Sequence, residues 1–135
     1  MNKAKERGAE MKILIVDDST TMRRIIKNLL IKSGYSDILE AGDGREALEV
    51  LEGNTDVGLI LTDWNMPRMT GIDFVKKVRG DERFGRVPII MVTTNTSKVE
   101  IIQAIGAGVN NYIAKPFTPG TIKDKIEQTL KQMAS

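Results

Sequence analysis

The sequence predicts an α/β fold, a doubly wound five-stranded parallel sheet covered by helices on both faces. Short apolar runs alternate five times with longer segments whose apolar residues recur at helical spacing. Three of the short runs are apolar at nearly every position, which is typical of strands buried on both faces. The loops between segments are short, as β-α units require. At 135 residues, the chain is expected to form one domain.

The first two β-α units have different strands. KILIV, at residues 12–16, is a continuous apolar run and predicts a buried strand. The next segment is an amphipathic helix ended by Gly34, with apolar residues at Met22, Ile25, Ile26, Leu29 and Leu30. DILEA, at 37–41, predicts a more polar strand. The helix after it runs from Arg45 to about Glu52, with Ala47, Leu48 and Leu51 facing inward.

The remaining three units follow the same pattern. Strands are predicted at LILT (59–62), at VPIIMV (87–92), whose proline stands at the start, and at NYIA (111–114). The helices between them have apolar stripes at Ile72, Val75 and Val78, and then at Val99, Ile102 and Ile105. The last helix is marked by Ile122, Ile126, Leu130 and Met133.

Polarity indicates which strands lie at the edges. The second and fifth strands are the more polar ones, and an edge position suits them. The order 2-1-3-4-5, known from other doubly wound proteins, places both of them at the edges. We therefore expect that order, which is taken from known folds and does not follow from the sequence by itself.

Composition excludes several kinds of site. The chain has no cysteine and no histidine, so disulfides, thiolate metal sites, most zinc sites and Ser-His or Cys-His catalysis are excluded. A net charge of +2 gives no case for nucleic acid. No apolar run approaches the roughly 20 residues of a membrane span, and MNKAKERGAE does not resemble a signal peptide. We expect a cytoplasmic protein with a polar N-terminal extension at 1–11 and a domain at 12–134.

Polar residues stand at the carboxyl ends of four of the predicted strands. Asp17 and Asp18 follow the first strand, Asp63 the third, and Lys115 the fifth, while Thr93 ends the fourth. The carboxyl ends of parallel strands share one edge of the sheet, where ligands bind. Three carboxylates would repel one another there, so a hard cation such as Mg²⁺ and the lysine are expected to offset them. Such a site favours a phosphoryl group, with a carboxylate as nucleophile.

Each of these residues also has a simpler interpretation. Any one of the aspartates could be only a helix cap or a turn residue, because aspartate favours both. In LILTDWNMPRMTG (59–71), however, Met66-Pro67 and Gly71 end the strand and turn the chain, so Asp63 is expected to reach out of the sheet edge. Thr93 could be a plain β-branched strand residue.

Taken together, VDDSTTMRR, LTDWNMPRMTG, MVTTN and YIAKPFT resemble the motifs of two-component receiver domains. The resemblance is greatest to single-domain chemotaxis response regulators of the CheY type, and it extends from about Met11 to the last helix. It implies a flavodoxin-like (βα)5 sandwich. It also implies a signalling protein that is not an enzyme beyond its own phosphorylation and dephosphorylation.

The resemblance assigns roles to individual residues. Asp63 matches the phosphoacceptor, and Asp18 and Asp63 match direct Mg²⁺ ligands, with Asp17 acting largely through water. Asn65 matches the residue whose backbone carbonyl completes the coordination. Lys115 matches the lysine that contacts the phosphoryl oxygens, and the Lys115–Pro116 bond matches one that is cis in the family.

The resemblance also implies a switch and an output face. The Thr93 hydroxyl would bind the phosphoryl group, and Tyr112 would move from exposed toward buried, unless it is simply a half-buried strand aromatic. The output face would include Lys98, Ile101, Tyr112 and Lys125, with Ile101 exposed off the core stripe. The implied partners are a histidine kinase and the flagellar motor switch, and a phosphatase could be a third. A phosphorelay intermediate or phosphate sink is the alternative.

Two positions depart from the usual family pattern. Thr94 is bulkier than the residue that many receivers have next to the switch threonine, and Asn95 stands where chemotaxis regulators often have an acid. Asn65 and Asn95 lie where water or a phosphatase would approach. The lifetime of the phosphate therefore stays open at this point.

Overall fold

Five parallel strands form one sheet in the order β2-β1-β3-β4-β5, which confirms the predicted fold. The computed structural model describes residues 11–134, so the predicted extension lies, except for Met11, outside the described residues. The more polar strands occupy the two edges, as predicted. The strands are β1 (Lys12–Val16), β2 (Asp37–Ala41), β3 (Val57–Thr62), β4 (Ile89–Thr93) and β5 (Asn111–Ala114).

The helices are α1 (Thr20–Lys32), α2 (Gly44–Glu52), α3 (Gly71–Arg79), α4 (Lys98–Ala107) and α5 (Pro119–Met133). A short 3₁₀ helix at Glu82–Phe84 was not predicted. The five α-helices within residues 11–134 begin in the same way, with a side-chain oxygen that accepts a hydrogen bond from the backbone N–H three residues later. The capping residues are Ser19, Asp43, Thr70, Ser97 and Thr118. Each such cap contributes about 1 kcal/mol, which fixes where the helix starts.

The core has two layers because successive strand side chains point to opposite faces of the sheet. On one face, side chains such as Leu14 and Ile60 pack with residues from α2, α3 and α4. On the other face, their neighbours Ile13 and Leu59 pack with residues from α1 and α5. The central strands β1, β3 and β4 are almost fully buried, as their apolar sequences predict.

The predicted core stripe of the fourth helix is wrong. Val99, Ile102 and Ile105 are 74%, 60% and 56% exposed. Instead, Ala104 is buried, and Ile101 and Ala107 are partly buried. Both stripes of α4 are apolar, so helical periodicity does not choose between them. The structure places the small alanines against the core and the larger residues in solvent.

Other differences are smaller. β3 begins two residues earlier than predicted, and β4 begins after Pro88 and ends at Thr93. Ile25 of α1 and Met133 of α5 are exposed, not inward-facing. Among residues 11–134, no helix has the length and apolar character needed to cross a membrane.

Candidate functional site

The acids that follow β1 and β3 meet at one edge of the sheet. These strands are neighbours with Val16 beside Thr62, and the Asp63 N–H donates to the Val16 carbonyl at 2.9 Å. Carboxylate oxygens of Asp17, Asp18 and Asp63 all lie within 4.8 Å of one another. Asp17 and Asp63 are only 1% and 9% exposed, whereas Asp18 faces solvent.

Lys115, which follows the outermost strand β5, brings a positive charge into this cluster. Its Nζ lies 2.9 Å from Asp17 Oδ2 and 3.3 Å from Asp63 Oδ2. The residue directly follows β5, and its backbone N–H donates to the Thr93 carbonyl at 2.9 Å. The Lys115–Pro116 peptide is cis, in agreement with the resemblance.

The electrostatics of the site are unbalanced toward negative charge. Burial raises the pKa of the Asp63 carboxyl, the Lys115 charge opposes this, and Asp17 adds to it, so the pKa is raised overall. Burial would lower the pKa of the Lys115 amine, but its hydrogen bond to Asp17 and the charge of Asp63 outweigh burial and raise it. Among residues 11–134, one ammonium group therefore faces three carboxylates. An all-oxygen donor set with one solvent-facing member fits Mg²⁺, which keeps several of its waters.

The Asp63 carboxylate is held from two sides. Its Oδ1 accepts a hydrogen bond from the Trp64 N–H at 2.7 Å, while Oδ2 faces Lys115. The loop closes where the Gly71 N–H donates to the Trp64 carbonyl at 2.7 Å. A Cβ on Gly71 would collide with the Asp63 carbonyl oxygen, so only glycine fits there. This explains why Asp63 and Gly71 stand eight residues apart around a tight loop.

Two further loops border the acids. Thr93 is buried at the end of β4, and its Oγ1 accepts a hydrogen bond from the Asn95 N–H at 3.0 Å. The side chain of Asn95 is hydrogen-bonded to that of Asn65, two residues after Asp63. Sequence reasoning singled out both amides separately but did not predict that they pair.

The proposed output residues lie on α4, β5 and α5. Tyr112 is half-buried, and Lys125 Nζ lies 5.0 Å from its ring centroid, while Lys98 is exposed at the start of α4. Ile101 does not fit the expectation of an exposed side chain, because it is partly buried. The exposed apolar residues of this helix are those that were assigned to the core, Val99, Ile102 and Ile105.

Comparison with known proteins decides the family. The response regulator receiver domain matches residues 13–127. The chain belongs to this family. The chemotaxis protein CheY1 of Helicobacter pylori is 60% identical over 120 residues, which are 89% of this chain and 97% of that protein. A chemotaxis protein CheY homologue of Campylobacter jejuni is 57% identical over 120 residues, 89% and 92% of the two chains.

Solved receiver structures have the same fold. The chemotaxis response regulator CheY4 of Vibrio cholerae superposes with a TM-score of 0.83 at 36% identity, covering 88% of this chain and 98% of that one. Receiver domains of this type are signalling proteins and not classical enzymes. They bind Mg²⁺ at an acidic pocket, and Asp17, Asp18 and Asp63 form a group that could hold a metal.

Proposed function

We propose that this receiver domain is a phosphorylation-activated switch that accepts a phosphoryl group from a histidine kinase on Asp63. The observation that supports this role is the position of the Asp63 carboxylate. It lies between the Lys115 ammonium and the Trp64 N–H, with two further acids within 4.8 Å. A nucleophile and a fixed positive charge thus face the same space, beside oxygen ligands for a cation.

The residues suited to hold Mg²⁺ are Asp17, Asp18, Asp63 and the backbone carbonyl of Asn65. When bound, the ion neutralises charge on the carboxylates and on the phosphoryl oxygens. An Asp63 carboxylate oxygen attacks the phosphorus, the bond between phosphorus and the donor imidazole nitrogen breaks, and that nitrogen keeps the electron pair. Lys115 then pairs with an equatorial oxygen of the aspartyl phosphate, a role that its place beside Asp63 supports.

Thr93 is suited to sense the phosphate. Its Oγ1 already accepts a hydrogen bond from Asn95, so its own O–H can donate to a phosphoryl oxygen. Movement of this hydroxyl toward Asp63 would vacate space for Tyr112, whose half-buried ring could then move inward. Phosphorylation would thereby shift the population between two packings of the same core.

The proposed output surface has two parts. The first is the α4 stripe, defined as Val99, Ile102 and Ile105, and the second is the group Lys98, Tyr112 and Lys125. Large exposed apolar residues that lie together on one helix are typical of protein-binding surfaces. Lys98 begins the same helix and Lys125 lies over the Tyr112 ring, and these positive charges would favour an acidic partner. Because similar proteins are named chemotaxis proteins, we propose the flagellar motor switch as that partner.

A small phosphodonor with Mg²⁺ tests the phosphoacceptor directly. Intact mass should increase by one phosphate, and the fluorescence of Trp64, the only tryptophan, should change. Asp63→Asn should prevent both. An unchanged mass, or labelling that survives Asp63→Asn, would overturn the proposal. Phosphate-dependent binding to a motor-switch segment separates a motor regulator from a phosphate sink, which would be phosphorylated without binding.

A further inference from the structure

Arg68 has a backbone conformation that ordinary residues avoid. With φ of 67°, it is the one non-glycine residue of the described range 11–134 that has a positive φ. This left-handed conformation costs an L-residue about 1–2 kcal/mol. Arg68 lies in the loop between Asp63 and Gly71, so contacts of that loop must offset the cost.

The contacts that hold Arg68 come from the start of α2. Its Nε lies 3.1 Å from Oδ2 of Asp43, whose side chain is only 6% exposed. The other carboxylate oxygen, Oδ1, caps α2 by accepting from the Glu46 N–H at 2.9 Å. The next residue, Met69, packs so closely on Gly44 that a Cβ there would meet its Sδ at 2.9 Å. The loop is therefore docked on the N-terminus of α2.

The docked loop is the one that shapes the phosphoacceptor. It begins with the Trp64 N–H that donates to Asp63, continues through Asn65, and is closed by the bond from Gly71 to the Trp64 carbonyl. Among the ion pairs within residues 11–134, Arg68 pairs with Asp43 and with none of the three clustered acids. Its influence on the site must therefore be transmitted through the backbone of this loop.

We propose that Arg68 is a positioning residue, whose ion pair with Asp43 latches this loop in one conformation. In that conformation the loop presents the Asn65 carbonyl to Mg²⁺ and the Trp64 N–H to the phosphoryl group. The inference rests on the proposed function of Asp63. A latch lowers the cost of ordering the loop when the ion binds, which is preorganisation of the site.

Mg²⁺ titration followed by Trp64 fluorescence tests the latch. Arg68→Ala should weaken Mg²⁺ affinity about two- to fivefold, because a partly exposed ion pair contributes modestly. Simple Coulomb attraction predicts the opposite sign, since removal of a positive charge near a cation site should tighten binding. Asp43→Asn, which keeps a good helix cap, should weaken binding similarly. The double variant should lose little more than either single variant.

A matched control is Arg45→Ala, which removes an equal charge two residues from Asp43. Arg45 is exposed and has no ion pair within the described chain, so its removal should leave affinity unchanged or slightly tighter. Arg68→Gly removes the pair without backbone strain, so it should fold normally and still weaken Mg²⁺ binding. In metal-free protein, amide hydrogen exchange at residues 64–71 should be faster in both Arg68 variants than in the wild type.

Unchanged affinity in Arg68→Ala and Arg68→Gly, fully additive losses in the double variant, or an equal loss in Arg45→Ala would each overturn the latch. Failure of the proposed function would be seen in a different protein: the wild type itself would show no Mg²⁺ response or no phosphorylation on Asp63.

Discussion

Asn65 and Asn95 exchange side-chain hydrogen bonds between the loops that follow β3 and β4. Asn65 Nδ2 donates to Asn95 Oδ1 at 3.2 Å, and Asn95 Nδ2 donates to Asn65 Oδ1 at 3.5 Å. The pair bridges two of the loops that border the acidic cluster. We therefore expect this pair to stand on the path by which a water molecule would reach a phosphate on Asp63.

We predict that Asn95→Ala shortens the lifetime of the phosphorylated form. Without the amide pair, water reaches the aspartyl phosphate more easily, and hydrolysis should accelerate about two- to tenfold, because such a hydrogen bond contributes about 0.5–1.5 kcal/mol. The decay can be followed by Trp64 fluorescence after the phosphodonor is removed. Asn28→Ala, at an exposed asparagine of α1, is the control and should not change the decay. A decay in Asn95→Ala as slow as that of the wild type would contradict a protective role.

Asp63→Asn should stabilise the metal-free protein at neutral pH. Burial raises the pKa of Asp63, so the folded protein binds a proton there more readily than the unfolded chain does. The stability that this proton provides is fully present below the pKa of Asp63 in the unfolded chain. It is lost as pH rises through the pKa of Asp63 in the folded protein. At pH values above the unfolded pKa the wild type is therefore destabilised by this buried carboxyl, and the neutral amide removes that cost.

Thermal unfolding between about pH 3 and pH 8, without divalent ions, measures this effect. The unfolding midpoint of Asp63→Asn should exceed that of the wild type by a few degrees at pH 7, and the gain should shrink as pH falls toward the acid end. Asp124→Asn, at an exposed position on α5, controls for net charge. A gain that is constant with pH would show that the Asp63 carboxylate is not its source.

The sequence predicts the sheet well because its central strands are continuous apolar runs that few other structures explain. Continuous apolar runs locate β1, β3 and β4, and the strand ends then bring Asp17, Asp18 and Asp63 together without any knowledge of loops. The strand order required knowledge of other folds. The core stripe of α4 was wrong because both of its sides are apolar, so the pattern alone gives two equivalent solutions.

Contacts between loops could not be predicted from the hydrophobic pattern of the sequence. The Asn65–Asn95 pair and the Arg68–Asp43 pair join segments 30 and 25 residues apart, and each depends on the path of an irregular loop. Hydrophobic periodicity carries no information about such paths. The tight fit of Gly71 against Asp63 has only an indirect signal, a glycine that ends a turn.

Gly71→Ala should destabilise the protein by about 1–3 kcal/mol or more, because the new methyl group has no space beside the Asp63 carbonyl and the Trp64 Cα. The displaced loop should also weaken Mg²⁺ binding. Gly106→Ala is a matched control in α4, where a Cβ meets nothing within 4 Å. It should stabilise by about 0.5–1 kcal/mol, since alanine is the better helix former. Urea unfolding measures both changes, and a Gly71→Ala protein as stable as the wild type would contradict the close contact.

The α4 stripe should matter for binding and not for folding. Ile102→Ser removes an exposed apolar side chain, so it should change the free energy of unfolding by no more than about 0.5 kcal/mol. Ile126→Ser, at a fully buried position of α5, should cost about 2–5 kcal/mol. Affinity of the phosphorylated Ile102→Ser protein for a motor-switch segment should fall about tenfold or more if Ile102 is a central contact. Calorimetric titration against that segment measures it, and phosphorylation of Asp63 by a small donor should remain normal. The stripe cannot belong to both the core and the contact surface. A large loss of stability in Ile102→Ser with unchanged binding would therefore show that these residues belong to the core and not to the output surface.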